Sequence, residues 1–202
     1  MTTFDYSDAP PPRGDELIPH GSIATVQMRV RGGNAGEDGM LTRTKDGGAE
    51  FLDCEFVVIE GPYVKRKFWD RFILAGITDG HAKAIDISRG ALKGVLDSAF
   101  DLDPDDKSPE ARARRTVGLK VFDGLNFLAK IGIEKGKSKN DGSGESWPDK
   151  NILAAAITRG GKDWKGPIPQ PPPFSGGNAT LPLETPPASP PASGITKPSW
   201  AT

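Results

Sequence analysis

Five segments of the chain alternate apolar and polar residues, and this alternation constrains the fold more than any other feature. A period of two places successive side chains on opposite faces of a strand, so that one face enters a core. The apolar positions of the first segment include Ala24, Val26 and Met28, and those of the fourth segment include Phe127 and Ala129. The pattern predicts strands over 22–31, 49–60, 64–74, 126–135 and 151–158.

Helical spacing separates the third segment from the fourth. Leu92, Val95 and Leu96 recur every three or four residues, which predicts a helix with Ser88 as its N-cap. Pro109, in the stretch SPEARARR, predicts the start of a short second helix, because proline is favoured in the first helical turn.

The order of these segments predicts a mainly β fold: three strands, a helical insert and two further strands. This is the order of the oligonucleotide-binding (OB) barrel, a five-stranded Greek key with a helix between strands three and four. Long loops, RGGNAGEDGMLTRTKDGG and KGKSKNDGSGESWPD, connect strands one and two and strands four and five. In such barrels these two loops and the face of strands two and three bind nucleic acid.

Composition divides the chain into an arm, a folded domain and a tail. Residues 165–202 hold 11 of the 19 prolines, and such a segment buries too little apolar surface to fold, so we expect a disordered Pro-rich tail. Residues 1–16 hold three consecutive prolines and four acidic residues, and we expect a flexible arm. The OB-type domain is predicted over 17–164.

The charge of the chain is unevenly distributed. The formal net charge is −1, yet residues 61–139 hold 16 Lys and Arg against 11 Asp and Glu, whereas residues 1–60 hold 5 against 11. A basic middle on a neutral chain indicates a local anionic partner. The polar start lacks a secretory signal pattern, and no apolar run reaches the roughly 20 residues that span a bilayer. We therefore expect a cytoplasmic protein without a membrane partner.

The stretch EGPYVKRKFWDRF interleaves basic and aromatic residues on the third predicted strand. Lys65, Lys67, Trp69 and Arg71 share one face, while Phe68 belongs to the core face. Cations that follow phosphates, and an aromatic ring on which a base stacks, are the elements of a single-strand binding site.

The same stretch allows a structural interpretation. Asp53 and Glu55 lie on the non-core side of strand two, where they can pair with Lys67 and Arg71 and leave a salt-bridged outer face. The strip by itself leaves both interpretations open.

Two other segments bring positive charge towards the predicted site. Arg29 and Arg31 lie on the non-core side of strand one. The loop between strands four and five contributes Lys135, Lys137, Lys139 and Trp147. The alternatives are a solvated loop for the lysines and, for Trp147, a lid over the barrel end. The arginines of SPEARARR are expected to form a solvated helix face.

Catalytic patterns do not emerge from the sequence. The acidic stretch DLDPDD lacks the glycine and the terminal glutamate of a calcium-binding EF-hand loop, and we interpret it as a solvated turn. P-loop, dinucleotide, nucleophile-elbow and metalloprotease motifs are all missing. Cys54 is the only cysteine, which excludes an intrachain disulfide and a cysteine-based zinc site. We expect a protein that is not an enzyme, with no cofactor and no metal.

Several stretches together resemble a phage-encoded family long described only as a domain of unknown function. In order they are FDYSDAP, ELIPHG, EGPYVKRKFWDRF, ISRGALKGVL, DGLNFLAKIGIEKG and WPDKNIL, covering roughly residues 4–158. Members of that family resemble phage single-stranded-DNA-binding proteins and accompany recombination and replication genes. The resemblance implies that Lys65, Lys67, Trp69 and Arg71 contact DNA, whereas the segment 149–151 either contacts DNA or fixes the last hairpin.

The resemblance implies a function in phage recombination or replication. The chain would bind single-stranded DNA without strong sequence preference, protect it, and pass it to a phage recombinase or replication protein reached through the C-terminal tail. A homo-oligomer is left open. The alternative is a non-catalytic protein-interaction module that acts through the OB-like barrel and the Pro-rich tail. After Asp163 the tail has Glu184 as its only acidic residue, so recruitment through an acidic tip is not expected.

Overall fold

The computed structural model describes residues 16–139 and 144–171, and the predicted arm (up to residue 15) and the tail from residue 172 lie outside this part. The described residues form six strands, two α-helices and a 3-10 helix at Leu119–Phe122. In chain order the strands and α-helices are β1 (Ser22–Val30), β2 (Leu41–Arg43), β3 (Ala49–Val58), β4 (Lys67–Gly76), α1 (Asp79–Ala99), α2 (Pro109–Arg115), β5 (Asn126–Glu134) and β6 (Lys150–Ala156).

The strands form one antiparallel sheet, so the prediction of a mainly β fold with a helix after the third long strand is confirmed. β3 lies at its centre, because it pairs with β1 and β2 along one edge and with β4 along the other. β1 also pairs with β5, and β5 pairs with β6. Since every pairing is antiparallel, β4 and β6 run in the same direction.

The inner face of the sheet is built around Phe56 of β3, which is fully buried. Its ring stacks on Phe68 with centroids 5.0 Å apart, and it meets Phe72 and Phe127 edge to face at 6.4 and 6.0 Å. Offset and edge-to-face contacts are the favoured geometries for aromatic pairs. The core assignment of Phe68 from alternation is therefore confirmed, and Phe72 lies on the same buried face.

Helix α1 begins ten residues before the predicted start. Its N-cap is Thr78, whose hydroxyl accepts a hydrogen bond from the His81 amide at 3.2 Å, so the prediction of Ser88 as N-cap was wrong. Ser88 is buried in the middle of the helix. Most side chains before Ser88 are exposed, so the apolar spacing that reveals a packed helix is missing there.

Strand β2 was not predicted and lies within the long loop between β1 and β3. It forms a short hairpin with β3 in which Leu41 faces Leu52. Asp46 closes the turn by accepting hydrogen bonds from the Thr44 hydroxyl and the Gly48 amide. The Asp-Gly pair at this turn is a hairpin signal that could have revealed the strand.

The segment after Lys165 remains attached to the folded body, beyond the predicted boundary at residues 164 and 165. The Gln170 side chain accepts a hydrogen bond from the Asn126 amide at 3.0 Å and donates to the carbonyls of Ala99 and Asn126 at 3.0 and 2.8 Å. The beginning of the predicted tail is thus part of the folded body.

Arg115 is a structural residue, which corrects the interpretation of the SPEARARR arginines as a solvated face. Its Nε donates to the Asp97 carboxylate at 2.6 Å, and Asp97 is only 1% exposed. The Arg115 guanidinium also donates to the carbonyls of Asp103 and Asp106. The DLDPDD turn therefore wraps around this side chain.

Candidate nucleic-acid interface

The outer face of β1, β3 and β4 carries three cross-strand rows of side chains. Directly opposed residues of antiparallel strands point to the same side of a sheet. The rows are Gln27–Val57–Lys67, Arg29–Glu55–Trp69 and Arg31–Asp53–Arg71. We call these nine residues the outer strip. Within it the structure brings together five predicted site residues: Arg29, Arg31, Lys67, Trp69 and Arg71.

Ion pairs cross the outer strip. Lys67 Nζ lies 3.0 Å from the Glu55 carboxylate, and Asp53 lies 3.7 Å from Arg71 Nε and 3.5 Å from Arg31 Nη1. The acid–base pairing anticipated as the structural interpretation is therefore confirmed. Four cations and two carboxylates leave the strip with a formal excess of two positive charges.

The cations of the outer strip project further into solvent than the acids. The Arg71 side chain is 66% exposed and that of Lys67 45%, whereas Asp53 and Glu55 are 16% and 18% exposed. An incoming anion would therefore meet the cations first. Because the carboxylates of Asp53 and Glu55 are largely buried, separating them from their cations has a free-energy cost that the phosphate contacts must offset.

Trp69 stands in the middle row with 48% of its surface exposed. It is flanked along β4 by Lys67 and Arg71, and it faces Glu55 across the strands. Next to this row the Arg71 guanidinium lies 4.8 Å above the ring centre of Phe51, a cation–π geometry. Phe51 was not predicted as a site residue. Its place on the non-core side of strand two was the signal that could have revealed it.

Lys65 does not lie on the strand, and its predicted place on the shared face was wrong. β4 begins at Lys67, and Lys65 occupies the preceding turn with φ of +70°. Its backbone amide donates to the Val58 carbonyl at 2.8 Å, which fixes this turn. The side chain is exposed at the end of the β3–β4 hairpin, adjoining the strip but outside its rows.

The loop between β5 and β6 is held closed by Asp149. Its carboxylate accepts hydrogen bonds from Lys135 Nζ at 2.6 Å and from the Gly136 amide at 3.0 Å, and the Lys135 bond lowers the pKa of Asp149. A side chain at Gly136 would collide with the Trp147 carbonyl, so the two arms approach closely only with glycine there. The segment 149–151 therefore fixes the hairpin, the second of its two predicted roles.

Of the other predicted residues of this loop, Lys137 and Trp147 are exposed and Lys139 is partly buried. Trp147 is 62% exposed, which does not fit a lid over the barrel end, and Lys139 Nζ lies 5.4 Å from its ring centre. Lys139 is paired with Glu145. Lys137 is exposed and has no ion-pair partner within the described chain, so among these lysines its charge is the most accessible.

The two loops lie at opposite ends of the outer strip. Strand directions alternate across the sheet, so the β1–β3 loop follows the end of β1, while the β5–β6 loop lies at the end where β4 begins. The β3–β4 turn with Lys65 is at that second end as well. A strand of nucleic acid crossing β3 and β4 would thus pass between the two loops.

The described residues contain no group of three or more His, Cys, Asp or Glu side chains placed to hold a metal ion. Neither α-helix in the part of the chain that the structure describes could cross a membrane, given its length and polarity.

Comparison of the chain with protein-family models, with curated proteins and with solved structures finds no match.

Proposed function

We propose that this chain is a non-catalytic single-stranded-DNA-binding protein whose binding surface is the outer strip. The observation that carries the proposal is the half-exposed Trp69 between Lys67 and Arg71, with Arg29 in the same row and Arg31 in the next one. Stacking of a base on an exposed aromatic ring needs no sequence recognition, and cations beside the ring can follow the phosphates.

An OB barrel is the finer fold that we propose for the sheet. The long strands pair in the order expected of that barrel, because β1 pairs with β3 and β5, β3 with β4, and β5 with β6. Closure needs contact between β4 and β6, and the Asp70 carboxylate of β4 accepts a hydrogen bond from the Leu153 amide of β6. In this fold the face of β3 and β4 is the expected nucleic-acid site.

Binding would proceed by exchange of anions on the outer strip. Phosphates displace Asp53 and Glu55 from the projecting cations, while Trp69 stacks on a base. Lys65, Lys137 and the exposed ring of Trp147 would extend the contact at the end of the strip where β4 begins. Charge and stacking do not depend on which base is bound, so weak sequence preference is expected.

The resemblance to a phage-encoded family supports a role in recombination or replication. The chain would protect exposed single strands in a bacterial host and deliver them to a recombinase or replication protein. Residues 172–202, outside the described part, are the proposed contact with that partner.

A titration of the full chain against fluorescein-labelled oligonucleotides tests the proposal. We expect saturable binding to single-stranded DNA at least tenfold tighter than to duplex DNA of the same sequence. RNA of equal length is the third ligand, and its affinity relative to that of single-stranded DNA measures the preference for ribose or deoxyribose. Equal affinity for single strands and duplex, or no binding at low salt, would refute the proposed function.

A further inference from the structure

The N-terminal part of the chain is fixed to the folded body at Ile18. The Ile18 side chain is buried in the core, its amide donates to the Asn151 side-chain oxygen at 2.8 Å, and its carbonyl accepts from the Asn151 side-chain nitrogen at 2.8 Å. Glu16 is already exposed. Residues 1–15, which lie outside the described part and which we call the N-terminal arm, therefore join the body beside the start of β6.

The start of β6 lies at the same end of the sheet as the start of β4. The two strands run in the same direction, and the hydrogen bond from the Leu153 amide to the Asp70 carboxylate joins them. Neighbouring strands are about 4.8 Å apart, whereas 15 extended residues reach up to about 50 Å. The N-terminal arm is therefore long enough to reach any side chain at this end of the sheet.

Exposed cations and exposed apolar side chains occur together at this end. Lys65 in the β3–β4 turn and Lys137 in the β5–β6 loop are exposed and have no ion-pair partner within the described chain. Val64 precedes Lys65 and is 48% exposed. Trp147, whose amide donates to the Lys137 carbonyl at 2.9 Å, is 62% exposed. We call these four residues the basic end.

The N-terminal arm is complementary to the basic end in charge and in apolar character. It holds three acidic residues and one arginine, so its side chains carry a formal excess of two negative charges. Its stretch FDYSDAP interleaves Phe4 and Tyr6 with Asp5 and Asp8. The connection through Ile18 keeps the arm at a high effective concentration near the basic end, so individually weak contacts suffice for docking.

We propose that the N-terminal arm docks on the basic end of its own chain. The carboxylates of Asp5 and Asp8 would approach the two lysines, and Phe4 and Tyr6 would cover the exposed ring of Trp147. Because the same lysines and ring are expected to extend the DNA contact, the docked arm competes with single-stranded DNA. This competition rests on the proposed function, whereas the docking itself does not.

Other pairings of segment and surface fit less well. Lys67 and Arg71 in the outer strip already pair with carboxylates of β3, so they offer the arm less free charge than the basic end does. Residues 172–202 follow Gln170, which is bonded to Asn126 at the opposite end of the sheet, and Glu184 is their only acidic residue. The arm of a second copy has the same chemistry but lacks the connection that raises its effective concentration.

Paramagnetic broadening in the full chain tests the docking without DNA. A nitroxide on Ser7→Cys attaches selectively, because the native Cys54 is fully buried. The readout is the ratio of indole N–H intensities with the nitroxide oxidised and reduced. We expect the Trp147 signal to lose most of its intensity and that of Trp164, which follows the far end of β6, to lose little. Equal broadening of the two signals, or none, would overturn the docking.

Charge variants of the labelled chain locate the contact. Asp5→Asn combined with Asp8→Asn should restore most of the indole intensity, and so should Lys137→Glu. Asp86→Asn combined with Asp105→Asn makes the same charge change at two exposed positions of the body, and it should restore none. Melting temperatures identify any variant that is not folded. Broadening that persists in both folded arm and Lys137 variants would overturn the proposed contact.

A mixed sample distinguishes the chain's own arm from that of a second copy. One component is enriched in nitrogen-15 and carries no nitroxide, and the other carries the nitroxide without the isotope. Broadening in this sample arises only between copies, and we expect none. Broadening as strong as in the singly labelled chain would assign the arm to a second copy and overturn the proposal.

Oligonucleotide titration tests the competition. The Asp5→Asn, Asp8→Asn chain should bind labelled single-stranded DNA about threefold or more tighter than the wild type, because the competing carboxylates are gone. The control with Asp86→Asn and Asp105→Asn should stay within twofold of the wild type. Saturating unlabelled oligonucleotide should also restore the Trp147 intensity ratio of the spin-labelled chain, and an unchanged ratio would overturn the competition. If the wild type binds no DNA, the proposed function fails, and the broadening in the DNA-free chain alone decides the docking.

Discussion

The Asp70 carboxylate of β4 accepts a hydrogen bond from the Leu153 backbone amide of β6 at 3.1 Å. Asp70 lies between Phe68 and Phe72 on the inner side of its strand, and it also accepts from the Arg71 amide at 2.8 Å. No strand ladder joins β4 to β6 in the described part of the chain. A partly buried side chain thus provides the link where backbone pairing is missing, and burial raises the pKa of Asp70.

Replacing Asp70 with asparagine should cost less stability at neutral pH than under acidic conditions. Burial raises the pKa of Asp70 in the folded state. The folded protein therefore keeps the carboxyl proton at pH values at which the unfolded chain, with an ordinary Asp pKa of about 3.9, has already released it. Wild-type stability therefore falls as pH rises through the interval between the two pKa values. Asp70→Asn cannot ionise and lacks this fall.

Urea unfolding of both proteins between about pH 3 and 7 measures the difference. Asp70→Ala is the comparison, because it leaves the partly buried Leu153 amide without this acceptor, at about 1–3 kcal/mol. A cost of Asp70→Asn that grows with pH would contradict the role assigned to this carboxylate.

Alternation in the sequence predicted the two faces of the long strands because a pleated strand has only two. It therefore located Phe68 inside and Trp69 outside, and it identified the cations and acids of the outer strip. It could not decide whether Arg71 would pair with Asp53, since that depends on register between strands distant in sequence. Lys65 was misplaced because its backbone adopts a left-handed conformation in a turn, and this turn interrupts the alternation. Residues other than glycine rarely adopt that conformation, so a lysine does not indicate it.

Helix boundaries and the end of the folded body were less predictable for a similar reason. The first turns of α1 are largely exposed, so burial imposes no apolar period on them. Gln170 is a single polar residue in a Pro-rich context, and its contacts with Ala99 and Asn126 arise from tertiary structure alone. The composition of a segment indicates how much apolar surface it can bury. It does not indicate whether one polar side chain forms hydrogen bonds with the folded body.

Removal of the Asp97 carboxylate should destabilise the helical insert strongly. Asp97→Ala leaves Arg115, whose side chain is 14% exposed, without its charge partner. Breaking a buried ion pair from one side costs about 3–5 kcal/mol. Arg112→Ala, on an exposed position of α2, is the matched control and should change unfolding free energy by less than about 0.5 kcal/mol. Equal small effects for both variants in urea unfolding would show that the Asp97 pair is not a structural anchor.

Loss of the Gln170 side chain should weaken the folded body, although composition places this residue in the tail. Gln170→Ala leaves the Asn126 amide and the Ala99 carbonyl without their partner, which should cost about 1–3 kcal/mol. Pro171→Ala is the neighbouring control and should change little. Thermal unfolding measures both variants, and an unchanged melting temperature for Gln170→Ala would place the boundary of the folded body at the predicted residue 165.

Affinity for single-stranded DNA should fall steeply with salt. Each neutralised phosphate contributes a log–log slope of about −0.7 for single strands, so four to six contacts give roughly −3 to −4. Arg71→Gln should reduce the slope by about one such unit. Lys83→Gln, on the exposed start of α1, should leave it unchanged. An affinity that does not vary with salt would remove the electrostatic part of the proposed interface.

The adjacent residues Phe68 and Trp69 provide the sharpest test, because one strand sends them to opposite faces. Phe68 is 2% exposed and stacks on Phe56, so Phe68→Ala should destabilise the fold by about 3–5 kcal/mol. Trp69 is 48% exposed, so Trp69→Ala should spare most of the stability and cost about 1–3 kcal/mol of single-strand binding. Trp69→Phe keeps a stacking face and should recover part of that loss. Melting temperature and oligonucleotide affinity are measured for all three variants. If Trp69→Ala leaves the affinity unchanged, the outer strip is a solvated, salt-bridged surface and the nucleic-acid function must be sought elsewhere on the molecule.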